Sequence, residues 1–125
     1  MAIRIYVDQG HNPAGNVNAG AVGNGLNEGD ITYNVGAYLA DLLDEDNRFL
    51  VRTSRNTPTE VLGTSNASSL AIRVRQANEW PADYFISIHA NASTNPAANG
   101  SEMYVYKENS TAATLAEYIL DAMVT

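Results

Sequence analysis

The sequence predicts a single α/β domain over residues 1–125, with a twisted, mostly parallel or mixed sheet that is flanked by helices on both faces. The first observation behind this prediction is the order of the segments, because short apolar, strand-like segments alternate with longer segments of helical periodicity. The second is the length and composition of the chain. With 125 residues, of which 45% are hydrophobic, it can bury one core without disulfides.

Four segments have the alternation or the short apolar composition of β-strands, namely residues 3–7, 48–53, 84–88 and 102–106. Residues 3–7 alternate apolar and polar side chains, whereas residues 84–88 are largely apolar, as is typical of a buried central strand. A long loop rich in Gly, Asn and Ala, residues 10–29, follows the first strand. Because this loop connects two strong elements, we interpret it as functional.

Three segments carry apolar residues at helical spacing. Residues 31–43 form an amphipathic helix pattern, for which Asp30 is the predicted N-cap. Residues 70–79 form the second pattern, which Pro81 ends, and the third begins near residue 110. The alternation of these helices with the strands is what predicts a sheet covered on both faces.

The composition argues against several classes of function. The formal net charge of −7 and the lack of Lys/Arg clusters disfavour binding to nucleic acid or to anionic membranes. Because there is no cysteine, any metal ion would need His and carboxylate ligands. The chain shows neither a secretory signal pattern nor an apolar run long enough to span a bilayer. Export is therefore expected to depend on something outside it.

The side chains that predict chemistry are two histidines and one carboxylate. His11 and His89 each lie just beyond an apolar strand, where ligand sites form in α/β sheets, and Glu28 faces the same loop as His11. Such a set fills three positions of a tetrahedral Zn²⁺ and leaves the fourth for water. Ordinary interpretations stay open, because most histidines bind no metal and the helix dipole alone favours a carboxylate at Glu28. Asp8 and Asp30 are equally placed rivals.

Three segments resemble the zinc-dependent N-acetylmuramoyl-L-alanine amidases, in the same order along the chain: residues 5–11 (IYVDQGH), 25–28 (GLNE) and 87–91 (SIHAN). The resemblance spans nearly all 125 residues and includes these supporting positions: Arg55, Arg73, Ala77, Asn78, Asp83, Gly100, Ser101 and Glu102. For Arg73 and Asp83 we favour structural roles in ion pairs. These positions support the predicted fold rather than a mechanism.

Carried over residue by residue, the resemblance implies that His11, Glu28 and His89 are the zinc ligands. It also implies the reaction, which is hydrolysis of the amide bond between N-acetylmuramic acid and L-alanine in peptidoglycan. The expected partner is therefore peptidoglycan at the bacterial cell wall, reached by export or by phage-mediated release. Asn91, two residues after His89, is a candidate for binding substrate peptide groups, although the role of closing a turn is the slightly favoured interpretation.

The catalytic glutamate is where the sequence departs from the family pattern. In the family it lies in a late motif resembling V-E-x-G-F, which this chain does not contain, so we expect it beyond Thr125. Within the chain, Glu102 is the nearest candidate substitute, but its position matches a different part of the family pattern, and a carboxylate at a strand start is usually structural or solvated. The alternatives are a catalytically silent domain that binds zinc and muropeptide, and a metal-free scaffold. A sheet without the last family strand would have an uncovered edge, which favours self-association.

Overall fold

The computed structural model describes residues 1–125 and contains two compact units, residues 1–92 and 93–125, each of which is described by itself. The first unit has the predicted α/β architecture, and that prediction is confirmed. Its elements are, in chain order, β1 (Ile3–Gln9), β2 (Val22–Gly23), β3 (Leu26–Asn27), α1 (Glu28–Asp44), β4 (Phe49–Thr53), α2 (Asn66–Glu79) and β5 (Tyr84–Ile88).

The main sheet has three parallel strands in the order β4-β1-β5, so β1 is central. The prediction that residues 84–88 form a buried central strand is therefore wrong, because β5 is an outer strand with exposed or half-buried residues. The register pairs Val7 of β1 with Thr53 of β4 and with Ile86 of β5. It also pairs Gln9 with Ile88, so β1 and β5 end side by side. The loops that follow these two strands therefore begin at the same edge of the sheet, where parallel α/β sheets form ligand sites.

The side chains of β1 alternate between the two faces of the sheet, and a helix packs against each face. On one face, Gly36 of α1 approaches β1 so closely that an added Cβ would lie 2.4 Å from Cγ of Gln9. On the other face, the buried Tyr6 hydroxyl donates a 2.7 Å hydrogen bond to Oε1 of Gln76 in α2. The prediction of helices on both faces is thus confirmed for this unit.

Two helix starts differ from the sequence predictions. Asp30 is not the N-cap of α1; Asn27 has that place, in extended conformation, because the hairpin of β2 and β3 delivers the chain directly to Glu28. The second helix begins before residue 70, because Ser65 and Ser68 form a capping box that satisfies the first backbone amides. Glu28 consequently lies inside the first turn of α1.

The second unit contains one helix, α3 (Thr111–Val124), whose N-cap Ser110 accepts a hydrogen bond from the amide of Ala113. The prediction of a strand at residues 102–106 is wrong. A strand needs hydrogen bonds from a neighbouring strand, and the sheets pair only β1 with β4 and β5, and β2 with β3. None of the three helices has the length and apolar composition to cross a lipid bilayer.

Candidate metal centre

The structure brings together the three residues that the sequence singled out. Nε2 of His11 lies 3.2 Å from Oε1 of Glu28, and Nδ1 of His89 lies 3.4 Å from the same oxygen. The two ring nitrogens are 3.1 Å apart, and the rings meet edge to face. Side chains that are far apart along the chain thus direct one donor atom each to a common point at the ends of β1 and β5.

The dimensions and chemistry of this group fit a tetrahedral metal ion. Ligand bonds of about 2.0–2.1 Å at tetrahedral angles place two ligand atoms roughly 3.3–3.4 Å apart. The three observed separations lie between 3.1 and 3.4 Å. Two imidazole nitrogens and one carboxylate oxygen are also a donor set that zinc accepts. The group can therefore hold a metal ion with little movement of its ligand atoms.

The carboxylate of Glu28 is oriented by two backbone amides. The amide of Ala21 donates to Oε2 and that of Ala90 donates to Oε1, each at 2.9 Å. Burial by itself raises the pKa of Glu28, but these hydrogen bonds and the charge of the two histidines together lower that pKa below its usual value. Its position in the first turn of α1 acts in the same direction, because the helix dipole favours a negative charge there. Glu28 is therefore held ionised.

His11 is fixed at both its ring and its backbone. Its Nδ1 lies 2.9 Å from Oδ1 of Asn18, within the loop that follows β1. Its backbone has φ of 69°, in the left-handed region that few non-glycine residues adopt. The side chain of His11 is 20% exposed, compared with 44% for His89. The two histidines also present different nitrogens to the common point, Nε2 from His11 and Nδ1 from His89.

Two glycines make room for the three side chains. A Cβ on Gly20 would lie 2.8 Å from the ring of His11 and from Oε2 of Glu28, and its φ of +81° also favours glycine. A Cβ on Gly10 would lie 2.4 Å from the carbonyl oxygen of Ile88 and 2.7 Å from Cε1 of His89. Any larger residue at these positions must displace part of the group.

A buried ion pair supports the segment that carries His11. Nη1 of Arg73 lies 2.8 Å from Oδ1 of Asp8 and 2.6 Å from the carbonyl oxygen of Gln9. Its Nη2 donates to the carbonyl oxygen of His11 at 2.7 Å. The hydroxyl of Ser87 donates to the other oxygen of Asp8 at 2.6 Å. Asp8, a rival ligand on sequence grounds, is thus committed to this network, and Arg73 has the structural role that the sequence favoured.

A second buried arginine supports the helix start that carries Glu28. Nη1 of Arg55 donates to the carbonyl oxygen of Gly29 at 2.7 Å, and the backbone amide of Arg55 donates to Oε1 of Gln9 at 2.8 Å. Burial, and then the nearby charge of Arg73, lower the pKa of Arg55. The guanidinium group of Arg73 therefore binds the carbonyl of His11, and that of Arg55 binds the carbonyl of Gly29, the residue after Glu28.

The other residues proposed from the sequence lie outside this group. Asn91 is exposed and follows His89 by two residues. Asp30 is exposed in the first turn of α1. Glu102 belongs to the second unit, where it is exposed and accepts a 2.8 Å hydrogen bond from the Tyr104 hydroxyl. The structure therefore adds no second carboxylate to the converging donor atoms.

Sequence reasoning missed three residues of the centre: Asn18, Gly10 and Gly20. The Gly- and Asn-rich composition of the loop predicted tight turns and close backbone approaches, which both glycines provide. Composition did not indicate which asparagine faces a histidine ring. The left-handed backbone of Asn18 matches the preference of asparagine for that region, but other asparagines of the chain share it.

Comparison with known proteins gives a consistent result. The family model described as N-acetylmuramoyl-L-alanine amidase matches residues 5–125. The chain is 37% identical over 105 residues to N-acetylmuramoyl-L-alanine amidase CwlM of Bacillus licheniformis, covering 83% of this chain and 36% of that protein. It is 37% identical over 102 residues to N-acetylmuramoyl-L-alanine amidase LytC of Bacillus subtilis (strain 168), covering 80% of this chain and 18% of that protein.

The similarity extends to a solved structure, the catalytic domain of CwlV, an N-acetylmuramoyl-L-alanine amidase from Bacillus (Paenibacillus) polymyxa var. colistinus. It matches with a TM-score of 0.80 and 27% identity, covering 98% of this chain and 65% of that one. The chain thus spans about a third of the length of one curated relative and about a fifth of the other.

Proposed function

Because the chain belongs to the N-acetylmuramoyl-L-alanine amidase family, we propose that it hydrolyses the amide bond between N-acetylmuramic acid and L-alanine in peptidoglycan. We propose that this hydrolysis depends on one Zn²⁺ bound by His11, Glu28 and His89. The observation that carries the proposal is the convergence of two imidazole nitrogens and one carboxylate oxygen within 3.1–3.4 Å of one another. These separations agree with a tetrahedral ligand set.

In this proposal, the three ligand atoms are already positioned for zinc before zinc and substrate bind. The amides of Ala21 and Ala90 keep the Glu28 carboxylate ionised and directed at the histidines. Little rearrangement is then needed when the site is loaded, which favours tight binding. When bound, zinc would lower the pKa of a water molecule towards neutrality and polarise the carbonyl of the scissile amide.

We propose that substrate approaches from the side of His89. The side chain of His89 is 44% exposed, whereas that of Glu28 is 7% exposed, so the centre is accessible from the end of β5. Asn91 is exposed two residues further along the chain. Its side-chain amide can both donate to and accept from peptide groups, as recognition of a stem peptide requires. We therefore propose Asn91 as a substrate-binding residue.

A second candidate function is binding of zinc and muropeptide without cleavage. Amide hydrolysis needs a group that accepts and returns a proton, in addition to the metal. The two buried carboxylates of residues 1–92 are already engaged, Asp8 with Arg73 and Glu28 with two backbone amides. Glu102 is the substitute that the sequence suggested for this role, and its own carboxylate accepts a hydrogen bond from Tyr104. The two functions differ in whether a bound muropeptide is cut.

The proposed place of action is the bacterial cell wall, where the substrate is found. The formal net charge of −7 disfavours nucleic acid and anionic lipid as competing partners. In the three-stranded sheet, β4 and β5 are the outer strands. Self-association through such an edge stays a prediction, and sedimentation of the chain over a range of concentrations tests it.

The metal proposal is tested by zinc analysis after dialysis against metal-free buffer. We expect about one equivalent in the unmodified chain, whereas less than about half an equivalent would contradict a three-ligand site. Cleavage is tested by incubating the zinc-loaded chain with purified peptidoglycan and measuring new L-alanine amino termini. We expect zinc-dependent release. One bound zinc and retention of muropeptide without release would favour the second candidate.

The role of Glu102 is tested in the same assay with Glu102→Gln. A general acid–base group contributes about 10²–10⁴-fold to rate, so a loss of that size would support Glu102. Glu108→Gln is the matched control, because it neutralises another exposed glutamate of the second unit. Equal rates for the two variants would exclude Glu102 from proton transfer.

A further inference from the structure

The ring nitrogen of His11 that faces away from the converging donor atoms has a defined neighbour. While Nε2 is directed at Glu28 and His89, Nδ1 lies 2.9 Å from Oδ1 of Asn18. A neutral imidazole that binds an ion through Nε2 must carry its proton on Nδ1. That N–H then needs an acceptor, and the amide oxygen of Asn18 is placed to be one.

We infer that Asn18 is a positioning residue, which fixes the ring orientation of His11 and holds the proton on Nδ1, so that Nε2 is presented to the metal. The inference rests on the proposed function, because it requires an ion at the site. Histidines that bind metals generally donate their other N–H to a fixed partner. Loss of that partner lowers metal affinity about 10–100-fold.

Asn18 is itself held in place by its surroundings. Its Nδ2 donates to the hydroxyl oxygen of the buried Ser69 at 3.1 Å, so its Oδ1 is turned towards the ring of His11. Its carbonyl oxygen accepts a 2.8 Å hydrogen bond from the backbone amide of the buried Asn12. With φ of 53°, it occupies a conformation that asparagine tolerates better than most residues. These contacts give Asn18 one orientation towards His11.

A purely structural role for Asn18 makes a different prediction. The hydrogen bond to Ser69 contributes to folding whether or not a metal binds, so its loss alone would reduce stability and leave zinc affinity unchanged. A positioning role predicts a loss of affinity that an acceptor at position 18 restores. The two roles can therefore be separated by variants that both lose the donor to Ser69 and of which only one keeps an acceptor that faces His11.

The experiment compares Asn18→Gly, Asn18→Asp and the control Asn24→Gly. Glycine removes the hydrogen-bond acceptor and tolerates the left-handed backbone. Aspartate keeps an oxygen that faces Nδ1 of His11. Asn24 is exposed, with φ of 51°, in the turn between β2 and β3, so its replacement reproduces the backbone effect alone. Zinc affinity is measured by competition with a chromophoric chelator, and unfolding of the metal-free variants by urea.

We expect Asn18→Gly to bind zinc about 10–100-fold more weakly than Asn24→Gly. We expect Asn18→Asp to bind at least as tightly as the unmodified chain. Equal affinities for the two glycine variants would overturn the inference while leaving the metal site intact. If the unmodified chain bound no zinc, the proposed function would fail first, and this inference with it.

A second measurement needs no variant and covers the case in which Asn18→Gly does not fold. In the zinc-loaded unmodified chain, the ¹⁵N shifts of the imidazoles distinguish metal-bound from protonated nitrogens. We expect the proton of His11 on Nδ1 and the metal on Nε2. The opposite assignment for His11 would overturn the role of Asn18.

Discussion

The two histidines of the candidate metal centre are held in very different ways. The ring of His11 is hydrogen-bonded to Asn18, and its carbonyl oxygen accepts a hydrogen bond from the buried Arg73. His89 follows the last residue of β5, has the more exposed side chain, and lies over Gly10 of the neighbouring strand end. One ligand is thus fixed by a buried polar network, whereas the other is limited mainly by close packing.

This difference follows from the positions of the two strands. The central strand β1 has a helix on each face, so residues beyond its end can be bonded from both sides. The outer strand β5 has one strand neighbour, and its residues are exposed or half-buried, whereas the last five residues of β1 are buried. We infer that the central strand supplies the rigid half of the centre and the outer strand supplies the half through which substrate enters. The following predictions test this division.

The largest effect is expected from Arg73→Met, which removes the cation from the rigid half. Asp8 would then be a buried carboxylate without its partner, and breaking such a pair costs about 3–5 kcal/mol. Urea unfolding measures this loss. Arg75→Met is the control, because Arg75 is an exposed arginine on the same helix, and it should stay within about 0.5 kcal/mol of the unmodified chain. Similar losses for both variants would contradict a fixed network.

Next come the ligands themselves, His11→Ala and His89→Ala. Two remaining ligands do not define a tetrahedral site, so each variant should lose more zinc affinity than the roughly 100-fold that loss of an outer partner costs. Unchanged zinc stoichiometry in either variant would refute the ligand set.

The metal-free forms of the same two variants should differ from each other. Histidine already adopts the left-handed backbone at position 11, so alanine loses mainly the ring and its hydrogen bond with Asn18, and the unfolding free energy should fall by about 1 kcal/mol. His89→Ala should unfold nearly as the unmodified chain does. Equal urea midpoints for the two alanine variants would remove the distinction between a fixed and an open histidine.

A smaller effect on affinity is expected from Gly10→Ala. The new Cβ would press on the ring of His89 and on the carbonyl oxygen of Ile88, so the ring must move. We expect zinc affinity to fall about 10-fold and unfolding free energy to fall by about 1–3 kcal/mol. Gly23→Ala is the control, since a Cβ there meets nothing within 4 Å. Unchanged affinity for Gly10→Ala would show that His89 adjusts freely.

The smallest effect is expected from Ser87→Ala, which removes the hydrogen bond from β5 to Asp8. Because Arg73 still neutralises Asp8, the loss of unfolding free energy should be about 1–2 kcal/mol. Zinc affinity, measured by chelator competition, should stay within about threefold of the unmodified chain. A larger loss of affinity would mean that this bond also positions His89, and the two halves would then be coupled.

The positions of His11 and His89 at one sheet edge could be predicted because strand periodicity is a local, repetitive signal and the alternation of strands with helices is typical of parallel sheets. The alternation in residues 3–7 and the apolar run in residues 84–88 place both histidines at strand ends, where parallel strands deliver their loops together. Glu28 was harder, because its spacing is equally typical of a carboxylate that interacts with the helix dipole.

What could not be predicted depends on contacts between residues distant in sequence. The partner of Asp8 is Arg73, 65 positions away, and neither local composition nor periodicity indicates that pair. Likewise, residues 102–106, which are rich in apolar and aromatic side chains, were predicted to form a strand, but a strand exists only where another strand supplies its hydrogen bonds. Local patterns indicated the candidate strands and helices, whereas hydrogen bonding between strands determined which of the candidate strands formed.

The backbone hydrogen bonds to Glu28 have a consequence for the evolution of the site. Every amino acid except proline offers the same main-chain donor, so the orientation of this carboxylate is independent of the side chains at positions 21 and 90. Among relatives that keep the glutamate, these two hydrogen bonds by themselves therefore exclude only proline at positions 21 and 90.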